Sequence, residues 1–143
     1  MSFTGEFRHT IDVKGRLIVP ARMRDELSGD QVVLTRWLED CIAIWSAGGW
    51  AEMEARLRAL GSSSPDARRF VRWVASSAHI DEVDKQGRIT VPQRLRDKAA
   101  LKRDVVVIGA LNHGEIWSPD RWEQHNEVTD EQQLAELAEG LDF

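Results

Sequence analysis

The sequence predicts an α+β fold, mainly β, in which two tandem repeats form a pseudo-twofold pair flanked by helices. Three observations predict it. Asp12-Val-Lys-Gly-Arg16-Leu-Ile-Val-Pro20-Ala-Arg22-Met-Arg24-Asp25 returns 72 residues later, with no gap, as Asp84-Lys-Gln-Gly-Arg88-Ile-Thr-Val-Pro92-Gln-Arg94-Leu-Arg96-Asp97. The match continues downstream, where Ile44-Trp45-Ser46 meets Ile116-Trp117-Ser118 and Trp50 meets Trp122. Short apolar runs bounded by turn residues fill each copy, while helical spacing appears between and after the copies. A repeat this long is a supersecondary unit that does not close its own core and pairs with its copy. Each copy alone, roughly 45 residues, would be only marginally stable, a physical reason for one shared interior.

In the first copy, Glu6 to Asp12 and Arg16 to Val19 read as strands, joined by a turn in which Gly15 supplies an unusual backbone conformation. Pro20 ends the second strand and suits the first turn of a helix over Ala21–Leu27, with Ser28-Gly29 as its stop. Gln31–Thr35 and Cys41–Trp45 follow as apolar strands around a polar turn at Glu39-Asp40. The second copy repeats the plan: strands at Ile80–Asp84 and Arg88–Val91 around Gly87, a helix from Pro92, then strands at Val105–Gly109 and Glu115–Trp117. Between the copies, Trp50, Met53, Leu57 and Leu60 form a helical stripe. Ser64-Pro65 caps and opens another helix, through about Ser77, that buries Phe70, Trp73 and Val74. Ser118-Pro119 starts a helix leading into Trp122, and Asp130–Gly140 is an acidic helix with Leu134 and Leu137 on one side. The organisation expected is repeat 1 over 5–47, a helical insert over 48–75, repeat 2 over 76–119 and an acidic helical tail over 120–143.

The net charge of −5 argues against a nucleic-acid partner until its distribution is considered. Residues 118–143 hold eight acids against Arg121 alone, so that segment carries −7 and the rest of the chain +2. Within 84–103, seven bases face only Asp84 and Asp97. The local field, not the total, decides what a surface attracts. No apolar run approaches the roughly 20 residues that span a bilayer, so no membrane partner is expected. Met1-Ser-Phe-Thr-Gly-Glu6 lacks a basic start followed by an apolar stretch, and Cys41 is the only cysteine; a cytoplasmic location without a disulfide is expected.

The chemistry concentrates in the two turns. Asp12 and Arg16, like Asp84 and Arg88, place a carboxylate and a guanidinium on opposite arms of a tight turn, where the carboxylate holds the arginine fork in one orientation. Exposed ion pairs add little stability, so stability is a weak reason to spell the turn twice. More bases surround each turn: Arg8, Lys14, Arg22 and Arg24 in one copy, Lys85, Arg94 and Arg96 in the other. The four helix arginines read equally well as a solvated face. If pseudo-twofold pairing sets both turns on one rim, phosphate contacts supply affinity and an arginine fork reads a guanine edge.

Two symmetry-related aspartates also raise the possibility of a proton-sharing protease dyad. That chemistry needs two carboxylates free of competing cations. Here each acid has an arginine four residues on and a lysine nearby, and neither turn reads Asp-Thr-Gly or Asp-Ser-Gly. No catalytic residue is assigned. His9, His79, His113 and His125 lack zinc-ligand spacing with Cys41, and no phosphate-binding glycine loop appears; neither metal, cofactor nor small-molecule substrate is expected. The six tryptophans sit in apolar patterns and read as packing rather than base-stacking platforms.

Together the Asp-x-x-x-Arg turns, the Lys14-Gly15-Arg16-Leu-x-Val-Pro20-x-x-x-Arg24 run, the Phe3-x-Gly5 start, the helical insert and the length resemble the MraZ family of bacterial transcriptional regulators. The resemblance covers the whole chain up to about Asn126. It implies a pair of SpoVT-AbrB-like halves forming a swapped-hairpin β-barrel and a non-enzymatic, sequence-specific DNA-binding regulator. It further implies that double-stranded promoter DNA with short direct repeats is the partner, upstream of the division and cell-wall gene cluster that the protein represses. A nucleoid-associated, ring-shaped homo-oligomer is implied as well. Carried over by position, Arg16 leads the DNA contacts with Lys14 and Gly15, and Asp12 orients it. Arg88, Lys85, Gly87 and Asp84 are the counterparts, with Gln86 where the first turn has Lys14. The rival reading is a barrel that grips a protein partner, as an antitoxin grips a toxin.

Overall fold

A computed structural model of the chain describes residues 2–27, 31–62, 64–127 and 130–142. Eight strands form in chain order: β1 (Glu6–Thr10), β2 (Arg16–Ile18), β3 (Gln31–Arg36), β4 (Ile42–Ser46), β5 (His79–Glu82), β6 (Arg88–Thr90), β7 (Asp104–Gly109) and β8 (Gly114–Trp117). The helices are α1 (Ala21–Arg24), α2 (Ala47–Ala59), α3 (Pro65–Ala75), α4 (Gln93–Lys98), α5 (Pro119–Glu127) and α6 (Glu131–Gly140).

Six strands make one antiparallel sheet in the order β1-β7-β8-β4-β3-β5, and β2 and β6 make a separate two-stranded ribbon. The order is symmetric about the β8–β4 seam. Each copy contributes its first strand to the other copy's hairpin: Phe7 lies opposite Val107, and Ile80 lies opposite Val33. The pseudo-twofold axis passes by Ala43↔Glu115 in the sheet and Leu17↔Ile89 in the ribbon. The two copies are therefore exchanged, not merely adjacent.

Ribbon and sheet close over one interior. Leu17 and Ile89 from the ribbon pack with Leu34, Ile44, Val107 and Ile116 from the sheet, and Met23 and Leu95 of the short helices plug the ends. The sheet's other face is covered as well. Val33 and Trp45 pack against Met53 and Leu57 of α2 and Val74 of α3, while Val106 and Trp117 pack against Trp122 of α5. Burial on both faces explains why β3 and β7 read as unbroken apolar runs rather than alternating ones.

Several expectations shift. The repeat is not gapless in three dimensions: Leu34 pairs with Ile44 and Val107 with Ile116, so β3 maps onto β7 at 73 residues while β4 maps onto β8 at 72. One added residue ahead of β7 is cancelled by one fewer in the following hairpin. The helix expected over Ala21–Leu27 ends at Arg24, because Glu26 and Leu27 donate to carbonyls three residues back and tighten the chain into turns. Its expected stop at Ser28-Gly29 lies outside the described residues. The insert helix begins at Ala47 rather than Trp50, since Ser46 Oγ accepts from the Gly49 N–H at 3.0 Å and caps it. Leu60, assigned to its buried stripe, is half exposed. The caps at Ser64 and Ser118 form as expected, and Asp130 heads the last helix in a full capping box. No helix among the described residues is long and apolar enough to cross a membrane.

Candidate nucleic-acid interface

Each turn is built around its aspartate. Asp12 Oδ1 accepts from the N–H groups of Lys14 and Arg16, both at 2.9 Å, and Oδ2 accepts from Arg16 Nε at 2.8 Å. Asp84 does the same with Gln86 at 2.9 Å, Arg88 N–H at 2.8 Å and Arg88 Nε at 2.8 Å. The Gly15 and Gly87 N–H groups close the turns onto the Asp12 and Asp84 carbonyls, with φ of 82° and 79°. The backbone N–H of Arg16, aided by its guanidinium, holds the Asp12 carboxyl below the ordinary 3.8 against the opposing desolvation. Arg88 acts likewise on Asp84. Both acids are ionised at neutral pH, and each orients its guanidinium through Nε, which leaves the two Nη groups of Arg16 outside that hydrogen bond. Those Nη groups have no partner among the described residues. In the second turn, Arg88 Nη2 is shared with Gln86 Oε1 at 3.3 Å.

The ribbon brings the turns together. Arg16 lies opposite Thr90 and Arg88 opposite Ile18, with Leu17 and Ile89 facing the core between them. Alternation along a strand puts Arg16, Ile18, Arg88 and Thr90 on the outward face. Arg16 and Arg88 are then diagonal neighbours, with Cα atoms about 7–8 Å apart. The turns leave opposite ends of this short ribbon yet present their arginines on one face. Val19 N–H donates to Gly87 O and Val91 N–H to Gly15 O, both at 2.8 Å, so each turn is clamped by the other copy.

A scan against protein families matches one model twice, over residues 2–73 and 74–142; its description reads "MraZ protein, putative antitoxin-like". Among curated proteins, the chain is 48% identical to Transcriptional regulator MraZ of Moorella thermoacetica, over 99% of this chain and 98% of that one. It is 46% identical to the protein of the same name from Ligilactobacillus salivarius, over 97% and 96% of the two chains. The chain belongs to the MraZ family. The two family-model matches divide the chain as the internal repeat does.

In this MraZ-family chain the other candidate residues lie in and around the two turns. Lys14 and Lys85 are exposed at the turn tips, with Lys85 standing where the first turn has Val13. Each turn thus carries one lysine, displaced by a residue, and Gln86 costs the second turn no cation. Arg24, which is exposed, and Arg96, which is half-buried, do more than form a solvated face. Arg24 Nε donates to Val19 O at 3.0 Å and Arg96 Nε to Val91 O at 2.9 Å. Each guanidinium also lies against the glycine of the opposite turn. Arg94 Nη1 donates to Ser77 O at 3.0 Å. Only the recurrence of Arg24 at Arg96 signalled these braces, since the exchange of strands that brings them to the opposite turn is invisible locally.

Away from the turns, Glu115 accepts from His113 at 2.8 Å and from Trp117 Nε1 at 2.9 Å. Burial pushes its carboxyl upward, but those hydrogen bonds outweigh it and leave it below the ordinary 4.5. The pair is satisfied in place. No group of three or more His, Cys, Asp and Glu among the described residues is arranged to hold a metal ion. Trp45 and Trp117 are buried, as packing residues should be.

Proposed function

We propose that this chain is a sequence-specific, DNA-binding transcriptional regulator that represses the division and cell-wall gene cluster through short direct repeats in its own promoter. The observation that carries this reading is the outward ribbon face, on which two carboxylate-held arginines stand as diagonal neighbours with donors to spare. A two-stranded ribbon fits the B-DNA major groove, about 12 Å wide, and a held arginine fork matches the O6 and N7 acceptors of guanine. Lys14 and Lys85 at the tips contact flanking phosphates, which position the reader without specifying sequence. Gly15 and Gly87 let the backbone turn there, and Asp12 and Asp84 aim the forks. The curated relatives named as transcriptional regulators support the reading.

One ribbon reaches only a few base pairs, so its affinity is modest. Several copies joined in a ring-shaped homo-oligomer gain through effective concentration when the spacing of the DNA repeats matches the spacing of the ribbons. Such a protein works in the cytoplasm at the nucleoid. The test is fluorescence anisotropy with a duplex taken from immediately upstream of its own gene and a scrambled duplex of equal length. The wild type binds the first more tightly, and Arg16→Ala loses that preference while keeping its circular-dichroism spectrum. Undiminished preference in a folded Arg16→Ala protein overturns the assignment.

A further inference from the structure

The first turn has a neighbour that carries positive charge. Because β1 pairs with β7, Thr10 lies opposite Asp104 and the Ile11 N–H donates to Arg103 O at 2.7 Å. The segment leading into β7 is thereby laid along the arm of the Asp12–Arg16 turn and anchored by buried Leu101. Between them lies an open cleft of about 490 Å³, whose walls include Ile11, Asp12, Val13, Arg96, Lys102 and Arg103. Lys102 and Arg103 are exposed, and neither side chain has a hydrogen-bond or ion-pair partner among the described residues. Arg96 is fixed from below by its bond to Val91 O. The one carboxylate in the wall, Asp12, already accepts three hydrogen bonds and is charge-compensated by Arg16.

An exposed lysine and arginine are ordinarily just solvated charge. Here their placement breaks the symmetry of the chain. The arginines of the motif come in pairs across the repeat: Arg16 with Arg88, Arg22 with Arg94, Arg24 with Arg96. Lys102 and Arg103 have no such counterparts, since residues 28–31 read Ser-Gly-Asp-Gln. The extra cations stand beside the turn whose arginine fork is open. The repeat whose turn shares its fork with Gln86 has no lysine or arginine at the matching sequence positions.

Resting on the DNA-binding reading above, we propose that this cleft is a phosphate track: Arg96, Lys102 and Arg103 of the second repeat hold the phosphodiester backbone where a duplex seated on the ribbon passes the first turn. The two repeats then play unequal parts. The first turn supplies the reading arginine, and the second repeat supplies the backbone clamp beside it. Such contacts act through charge and counterion release and carry no sequence information of their own.

The test compares wild type, Lys102→Gln/Arg103→Gln and a control with the same charge loss on the insert, Arg56→Gln/Arg69→Gln. Affinities are measured for the upstream duplex and its scrambled partner between 50 and 200 mM KCl. Each phosphate contact contributes about 0.9 to the slope of log affinity against log salt. The Lys102/Arg103 variant should therefore bind both duplexes more weakly, with a slope shallower by about 1.8, an unchanged preference for the upstream duplex and a wild-type melting curve. The control should keep the wild-type slope. An unchanged slope in a folded Lys102/Arg103 variant, while Arg16→Ala still loses the preference, overturns the track and spares the ribbon reading. Equal flattening in the control reduces the cleft to general surface charge and overturns it too. Loss of the preference itself would make these residues base readers rather than a backbone clamp. A wild type that prefers neither duplex removes both proposals.

Discussion

The guanidinium of Arg24 lies against Gly87 of the opposite turn, so close that a Cβ at Gly87 would stand 2.6 Å from Arg24 Cζ. The reciprocal contact joins Arg96 to Gly15, where the added Cβ would also meet the Val91 carbonyl oxygen at 2.9 Å. Both glycines hold positive φ, so alanine at either costs on the order of 1–3 kcal/mol in backbone strain. The nearest atoms differ in kind. An arginine head group swings away, whereas the backbone oxygen of Val91 is held in the ribbon. Gly15→Ala should therefore destabilise the protein more than Gly87→Ala in urea unfolding. Equal losses would mean that Arg24 is as rigid as backbone.

The carboxylates of the turns set a pH dependence. Asp12 and Asp84 are held below the ordinary 3.8 by hydrogen bonds that only the folded chain provides. The unfolded chain thus binds more protons than the native one around pH 3 to 4. Their contribution is complete above the unfolded value, near 3.8, and is lost as pH falls through the lower folded value. Urea midpoints should decline from pH 5 to pH 2.5, and Asp12→Asn/Asp84→Asn should show a shallower decline. DNA affinity should be level between pH 6 and 8, because both acids stay ionised there.

Gln86 offers a direct handle on the inequality of the turns. It occupies part of the Arg88 fork, and its counterpart Lys14 leaves Arg16 open. Arg16→Ala should cost about 1–3 kcal/mol of specific binding, roughly 5- to 150-fold, the worth of a good arginine–guanine pair. Arg88→Ala should cost less. Gln86→Lys frees the second fork and adds a cation, so it should tighten binding to the upstream duplex and steepen its salt dependence. Weaker binding by Gln86→Lys would show that the glutamine is itself a contact.

Much of this was legible because the chemistry is local. A turn of five residues carries its own aspartate, glycine and arginine, and identity at a 72-residue shift marked both copies. The β3–β4 and β7–β8 hairpins were legible as apolar runs because both sheet faces are covered. What the chain hid was long-range. The exchange of β1 and β5 between hairpins leaves no trace in the local pattern and was expected only through the family resemblance, so the grip of Arg24 and Arg96 on the opposite turn was not foreseen. The compensated insertion ahead of β7 was masked because Ile44-Trp45 and Ile116-Trp117 fall back into step. The Lys102–Arg103 wall gained meaning only from its place beside Asp12.

Cys41 is sealed under Trp37 and Trp117, and burial pushes its thiol well above the ordinary range. The thiolate is the reactive form, so the native protein should resist alkylation. Iodoacetamide at pH 8 should leave the native chain unmodified by mass spectrometry and label it once in 6 M guanidinium chloride. Rapid native labelling would mean that the hairpin at Trp37–Cys41 opens readily.

Exchange of strands also makes each copy depend on the other for folding. β1 finds its ladder only on β7, β5 only on β3, and the α3 stripe of Trp73 and Val74 covers the outer face of the first copy's hairpin. Fragments divided in the connection between α2 and α3 should therefore copurify when coexpressed and reproduce the circular-dichroism spectrum of the intact chain. Each fragment alone should be unfolded or paired with a second copy of itself, which offers the same edges by pseudosymmetry. Severing the link also removes an effective concentration in the millimolar range for a short connection, so the reconstituted protein should melt at a temperature that rises with its concentration. A single fragment that is both folded and monomeric by sedimentation would contradict the exchanged architecture.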